Sequence, residues 1–162
     1  MMKWRNPLYM PNRGLLGLAS AIKPTCFVSS STTISVPTGI GTFTILSWDT
    51  TTFQTNQTMH SNTVNNSRIT VDTPGKYLVE VRVTWAYDVS GTIRRFRTLI
   101  NGIAQEAISD QYPNGTVPKT TPQLVAAYAL KLNDYVQVDV DHDATGAVLF
   151  TPLSFGITLL TP

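Results

Sequence analysis

Apolar and polar residues alternate most cleanly after Pro74-Gly75. There Tyr77, Val79, Val81, Val83, Trp85 and Tyr87 interleave with Lys76, Leu78, Glu80, Arg82, Thr84, Ala86 and Asp88. A period of two sends the first set to one face of a strand and the second to the other, which predicts a long strand with one core face and one mostly wetted face. Tyr135 to Asp143 repeats the pattern, with Val136, Val138 and Val140 inward and Gln137, Asp139 and Asp141 outward. Two segments break it. In Leu124 to Leu132, the residues Leu124, Ala126, Tyr128, Leu130 and Leu132 alternate with Val125, Ala127 and Ala129, and in Ser154 to Leu160, Phe155, Ile157 and Leu159 alternate with Gly156, Thr158 and Leu160. Neither of these strands has a properly polar face. Because a contiguous apolar sheet face left in water is an aggregation liability, two packed sheets, one of which also meets another subunit, account for the asymmetry.

Turn residues divide the rest. Cys26 to Thr32, Thr33 to Val36 and Phe43 to Trp48 read as strands around the Pro37-Thr38-Gly39 turn, and Asp49 to Asn66 reads as loop with a short strand. Ser90-Gly91 leads into a strand from Thr92 to Ile100 and Asn101-Gly102 turns again. A loop with Pro113, Asn114-Gly115, Pro118 and Pro122 follows. Residues 1–24 sustain neither the strand nor the helix period and are expected to form an arm ahead of a 25–162 domain. Trp4, Leu8, Tyr9, Leu15, Leu16 and Leu18, on a segment kept extended by Pro7 and Pro11, are its expected partner-anchoring residues. Leu15 to Ala21 loosely imitates a signal peptide, but Gly14 and Gly17 break the apolar run and Pro7, Pro11 and Arg13 precede it, so an uncleaved arm on a soluble protein is expected.

Composition supports this picture. A chain of 162 residues suits one core, and its 24 threonines outnumber its 22 charged side chains, a strand-prone bias. A net charge of +2 points to neither nucleic acid nor an anionic membrane. Cys26 stands alone, so no internal disulfide and no cysteine-based metal site is available.

No constellation spells out catalysis. Only His60 and His142 are present, with no Gly-x-Ser-x-Gly and no His-Glu-x-x-His, so neither an enzyme nor a cofactor is expected. Asp139, Asp141, His142 and Asp143 carry ligands of the right kind for calcium, but alternate residues on a strand lie ~6.6 Å apart, so a solvated strand face is expected and no metal. Arg95 and Arg97 share one strand face and Arg94 the other with Phe96. A salt-bridging outer face is the expectation there. Sequons at Asn56, Asn65 and Asn114 arise easily in so Asn- and Thr-rich a chain.

Several short motifs, in order, carry a family resemblance. They are Ile45-Leu46-Ser47-Trp48-Asp49, Met59-His60-Ser61, Asn66-Ser67-Arg68-Ile69-Thr70-Val71, Gly75-Lys76-Tyr77-Leu78-Val79, Arg97-Thr98-Leu99-Ile100-Asn101-Gly102, Leu130-Lys131-Leu132-Asn133-Asp134-Tyr135-Val136 and Ser154-Phe155-Gly156-Ile157. From about Cys26 to Leu160 the chain resembles the globular head of C1q and tumour-necrosis-factor-like proteins, including the modules of that type in phage virion proteins. It departs from them at Asn133, where a glycine is usual, and in having no collagen repeat ahead of the head. The resemblance implies an all-β, two-sheet, ten-stranded jelly-roll sandwich that forms trimers. The sheet holding the first, last and Leu124-type strands would line the threefold axis. Val125, Ala127, Tyr128, Ala129, Gly156, Thr158 and Leu160 are then the expected trimer-interface residues. By analogy, the expected function is a non-enzymatic bacteriophage virion component, either a capsid decoration (cement) protein or a fibre head. Its partners would be two copies of itself and, through the arm, a major capsid or other virion protein. The alternative is a secreted C1q-like recognition head, extracellular, binding a protein or glycan.

Overall fold

The computed structural model describes residues 23–86, 91–110 and 119–162. The arm residues Trp4, Leu8, Tyr9, Leu15, Leu16 and Leu18, and the turn at Asn114-Gly115, lie outside the described residues. Twelve strands are described: β1 Thr25–Ser29, β2 Ile34–Val36, β3 Thr44–Ile45, β4 Thr50–Gln54, β5 Arg68–Thr70, β6 Gly75–Ala86, β7 Arg94–Ile100, β8 Ile103–Asp110, β9 Lys119–Thr120, β10 Gln123–Leu130, β11 Tyr135–His142 and β12 Val148–Thr161. Seven of them form one sheet in the order β10-β6-β12-β1-β4, with β2 beside β12 and β9 beside β6. Five form the other in the order β3-β11-β7-β8, with β5 also on β11. Every pairing is antiparallel. Neighbours far apart in sequence, β1 against β12 and β7 against β11, give the crossed connections of a jelly roll.

The alternating positions meet between the sheets. Tyr77, Val79, Val81, Val83 and Trp85 of β6 are fully buried, as are Val136, Val138 and Val140 of β11 and Phe150, Phe155 and Ile157 of β12. Two aromatic pairs help fill the interior: Trp48 lies 5.3 Å from Phe155, and Trp85 meets Phe150 edge-on at 4.8 Å. Apolar burial of this kind, non-directional and proportional to area, is the main favourable term in the fold.

Turn chemistry fixes the registers. Asn101 (φ 52°) and Gly102 (φ 79°) supply the two left-handed positions of the tight β7–β8 hairpin. Asn133, at φ 69°, takes the same conformation between β10 and β11, which asparagine tolerates, so an asparagine in place of glycine needs no other compensation there.

Some boundaries differ from expectation. The first strand stops at Ser29 because the Ser30 hydroxyl turns to Asp49 and caps the Thr32 N–H. Strand β3 is only Thr44–Ile45, although Leu46 and Trp48 still bury their side chains and their N–H groups still donate to Val138 and Asn66. Strand β8 is the return of the hairpin that Asn101-Gly102 signals, although Ile103–Asp110 carries Gln105, Glu106 and three small residues with no strong alternation, and pairing to β7 decides its conformation.

Cys26 is fully buried, and burial, aided by the charge of Asp72, pushes its thiol up to about 12. The reactive thiolate is therefore scarce in the native state. An aromatic disulfide reagent at pH 8 should leave Cys26 unmodified in the native protein and label it at the rate of unfolding. Complete labelling within seconds would show that β1 is not packed as described.

Candidate interaction face

The outer surface of the seven-stranded sheet is where most of the expected interface residues gather. Strand registers align Val125 of β10, Glu80 of β6, Gly156 of β12, Phe27 of β1 and Phe53 of β4 in a single row across the sheet. The next row holds Ala127, Leu78, Thr158 and Thr25. Val125 is 53% and Phe53 52% exposed, and Ala127 and Ala129 are also exposed, so apolar side chains stand outward with no partner in the monomer, among Lys76, Glu80 and Arg82 of β6 on the same face. Gly156 is buried because the Phe27 ring lies flat on it: a Cβ there would come within 2.1 Å of the ring. Any larger residue would lift the ring off the sheet.

Tyr128 does not belong to that face. It lies on the core side of β10 with Leu124 and Leu130, packs against the core, and its hydroxyl is 2.7 Å from the Thr98 Oγ1 of the opposite sheet. An odd-numbered neighbour cannot share its face on a regular strand, so Val125, Ala127 and Ala129 point away from it. Phe27 and Phe53 were missed in the sequence. Phe27 was legible as the outward position between Cys26 and Val28, whereas Phe53 sits in a stretch with no alternation to reveal it.

The acidic and basic clusters turn out to be one structure. Strand β11 pairs with β7 so that Asp139 faces Arg97 and Asp141 faces Arg95. Arg97 grips Asp139 with Nε at 2.9 Å and Nη2 at 2.6 Å, and Arg95 grips Asp141 with Nε at 2.8 Å and with Nη2. The Phe43 ring covers both guanidiniums, 3.3 Å from that of Arg97, and the Gly41 N–H adds a 2.7 Å bond to Asp141. The salt-bridging face of Arg95 and Arg97 is thus as expected, but the solvated acidic face is not: Asp139 and Asp141 are buried under their partners. His142 is buried too, its Nε2–H donating to the Val36 carbonyl at 2.9 Å. Arg94 points inward beside Phe96, 5.9 Å from the Trp85 ring.

Asp143 clamps the start of β7. Its carboxylate accepts the N–H groups of Thr92 and Ile93 at 2.8 Å each, so that although burial raises its pKa, these donors outweigh burial and hold it below the usual value. Gly91, at φ 74°, leaves room for it, since a Cβ would lie 2.2 Å from the carboxylate. His60 bridges the Thr51 hydroxyl (2.9 Å) and the Asn66 carbonyl (3.3 Å), and burial pushes its pKa below 6.5. Among the described residues no three His, Cys, Asp or Glu side chains stand close enough to hold a metal ion.

Both shifts have the same sign for stability. A group with a lowered folded pKa binds protons more readily when unfolded, so its contribution is complete above the unfolded value and lost as pH falls through the folded one. The melting temperature should therefore be flat near pH 8, decline below pH 6.5 as unfolded His60 gains its proton, and decline again in the carboxylate range. His60→Asn should remove the first decline and Asp143→Asn shrink the second. A profile unchanged by His60→Asn would show that the imidazole is protonated equally in both states.

No protein-family model matches the chain, and no curated protein matches it by sequence. Solved structures do match. Murine APRIL at pH 5.0 superposes with a TM-score of 0.61 at 14% identity, covering 85% of this chain and 99% of that one. The globular domain of the zebrafish complement 1qA protein superposes with a TM-score of 0.59 at 12% identity, covering 86% and 98%. With the two antiparallel sheets described above, these likenesses make the chain a C1q/TNF-like jelly roll in fold.

Proposed function

We propose that this chain is a non-enzymatic homotrimeric building block, a bacteriophage virion protein of the decoration or fibre-head type, in which residues 1–24 attach a 25–162 jelly roll to a larger particle. The observation that carries self-association is the set of outward apolar side chains Val125, Ala127, Ala129, Phe27 and Phe53, which flank Glu80 on the outer face of the larger sheet. Burying such surface at ~25 cal/mol per Å² favours association, with the Phe27 ring over Gly156 and the neighbouring Thr158 and Leu160 as the proposed contact surface of β1 and β12. The virion reading rests on the low-charge, threonine-rich composition and on the arm's concentration of Trp4, Leu8, Tyr9, Leu15, Leu16 and Leu18. Three arms per trimer would bind far more firmly than one, as linked sites do. The fold likeness to the zebrafish complement globular domain favours a second reading, an extracellular recognition head for a protein or glycan.

Light scattering should give a molar mass about three times 17.8 kDa at micromolar concentration, and Val125→Asp with Ala127→Asp should reduce it to the monomer while leaving the circular-dichroism spectrum unchanged. A wild-type monomer would overturn the trimer.

The arm is tested with Trp4→Ala and Tyr9→Ala together in the full chain. The trimer should survive with its melting temperature intact, and co-sedimentation with phage particles should fall at least tenfold. Loss of the trimer would make the arm a structural element, and wild-type protein that never sediments with particles would favour the recognition head.

A further inference from the structure

A pocket of about 180 Å³ lies between β5 and the loop that leads into it, with Thr58, Ser61, Val64, Asn65, Arg68 and Thr70 in its lining. The Met59 carbonyl accepts the Thr70 N–H at 2.8 Å and the Asn65 carbonyl accepts the Arg68 N–H at 3.2 Å, which fixes the loop along the edge of β5 that does not meet β11. Arg68 and Thr70 flank the buried Ile69 and so share the outer face of the strand. The Arg68 guanidinium lies over the Tyr135 ring, 4.9 Å from its centroid, and is held in place by that contact. Arg94, Arg95 and Arg97 of the same sheet each meet an aspartate, whereas among the described residues no carboxylate pairs with Arg68. The side chain is only half-buried, so a ligand can reach it.

The open groups of the pocket select the ligand. The Met59 and Asn65 carbonyls are committed, while the Thr58 and Thr70 hydroxyls and the Asn65 amide make no other hydrogen bond among the described residues. Both ring nitrogens of His60 are engaged, by Thr51 and Asn66, and burial keeps it neutral near pH 7, so Arg68 is the one charge in the lining. One positive charge suits one negative charge, and a phosphate dianion would be left half compensated. A carboxylate matches the planar fork of a guanidinium, whose N–H edge stays free while its face lies on an aromatic ring. The hydroxyls and the amide would be stranded against a hydrocarbon acid but pair with a polyhydroxylated one. Val64, 65% exposed, offers an apolar wall to the C–H face of a ring. The volume is below the roughly 300–1,000 Å³ of sites for drug-sized ligands, which suits a single ring. We infer that this pocket binds an acidic sugar, a uronic-acid ring with its carboxylate on Arg68 and its hydroxyls on Thr58, Asn65 and Thr70. Two sources carry that ring, a free uronate and the terminal residue of an acidic polysaccharide. None of the side chains proposed for assembly lines the pocket, so the inference does not rest on that role.

Glucuronate is the probe, titrated into the full chain near neutral pH and followed by the amide chemical shifts of Ser61, Asn65, Arg68 and Thr70. Saturable shifts centred on these residues are expected. Glucose lacks the carboxylate and cyclohexanecarboxylate lacks the hydroxyls. Each should bind at least tenfold more weakly, comparisons that need no variant to fold. Arg68→Gln should cost at least tenfold in affinity, and Arg68→Lys, which keeps the charge but loses the fork, several-fold. A disaccharide ending in glucuronate that binds at least as well as the monosaccharide assigns the site to a polysaccharide end, and one that is excluded assigns it to the free sugar. Equal binding of glucose or of cyclohexanecarboxylate, tighter binding of inorganic phosphate than of glucuronate, unchanged affinity in Arg68→Gln, or no saturable shift overturns the inference.

Discussion

Strand β12 is the constraint on which the rest depends. It lies inside the larger sheet, bonded along one side to β6 from Lys76 to Trp85 and along the other to β1 and β2. Phe150, Phe155, Ile157 and Leu159 face the interior from it, so the core and the backbone ladder close through the same residues. Where β6 and β12 differ in length of run, the register shifts at Pro152–Ser154 and Leu159–Thr161 absorb the mismatch without turning the apolar set outward. Because almost all of its pairings are between segments distant in sequence, this fold is of the slow, non-local kind.

The smaller sheet solves a different problem. It presents an outward face on which β7 places arginines and β11 aspartates, and bidentate pairing between directly opposed residues pins the register of the two strands. A slip by one residue would bury Asp139 and Asp141 against the core with no partner, a penalty larger than the modest net worth of the pairs themselves. The Phe43 ring and the Gly41 N–H seal the array, tying the turn after β2 to the far sheet and so linking the two layers at their rim.

Most of the architecture was legible in the chain because strand alternation survives wherever one face is core. Tyr77 to Trp85 and Val136 to Val140 are the plainest instances, and the double-sided apolarity of Val125, Ala127 and Ala129 gave the outward patch directly. What stayed hidden is pairwise. Asp139 and Asp141 read as solvated because nothing local says that β7 lies beside β11, and β8 has no alternation of its own to announce it. Tyr128, expected with the outward group, lies instead with Leu124 and Leu130 as its even position dictates, and its hydroxyl, satisfied by Thr98 across the sandwich, explains how a polar tip is accommodated there. The pocket at Arg68 stayed hidden too, since Thr58 to Asn65 reads as loop and nothing local says that it folds beside β5.

The matched arginine–aspartate pairs also bear on how such a chain diverges. Superposition with proteins only 12% and 14% identical shows how little of the sequence the fold itself demands. Arg97 with Asp139, and Arg95 with Asp141, form couples in which losing the arginine alone strands a buried carboxylate, so drift at these sites must lose the aspartate first or change both together. Among descendants of this sequence the two columns of each couple should covary, switching together to apolar residues or keeping both charges, while Val125 and Ala127 are free to follow whatever surface they meet.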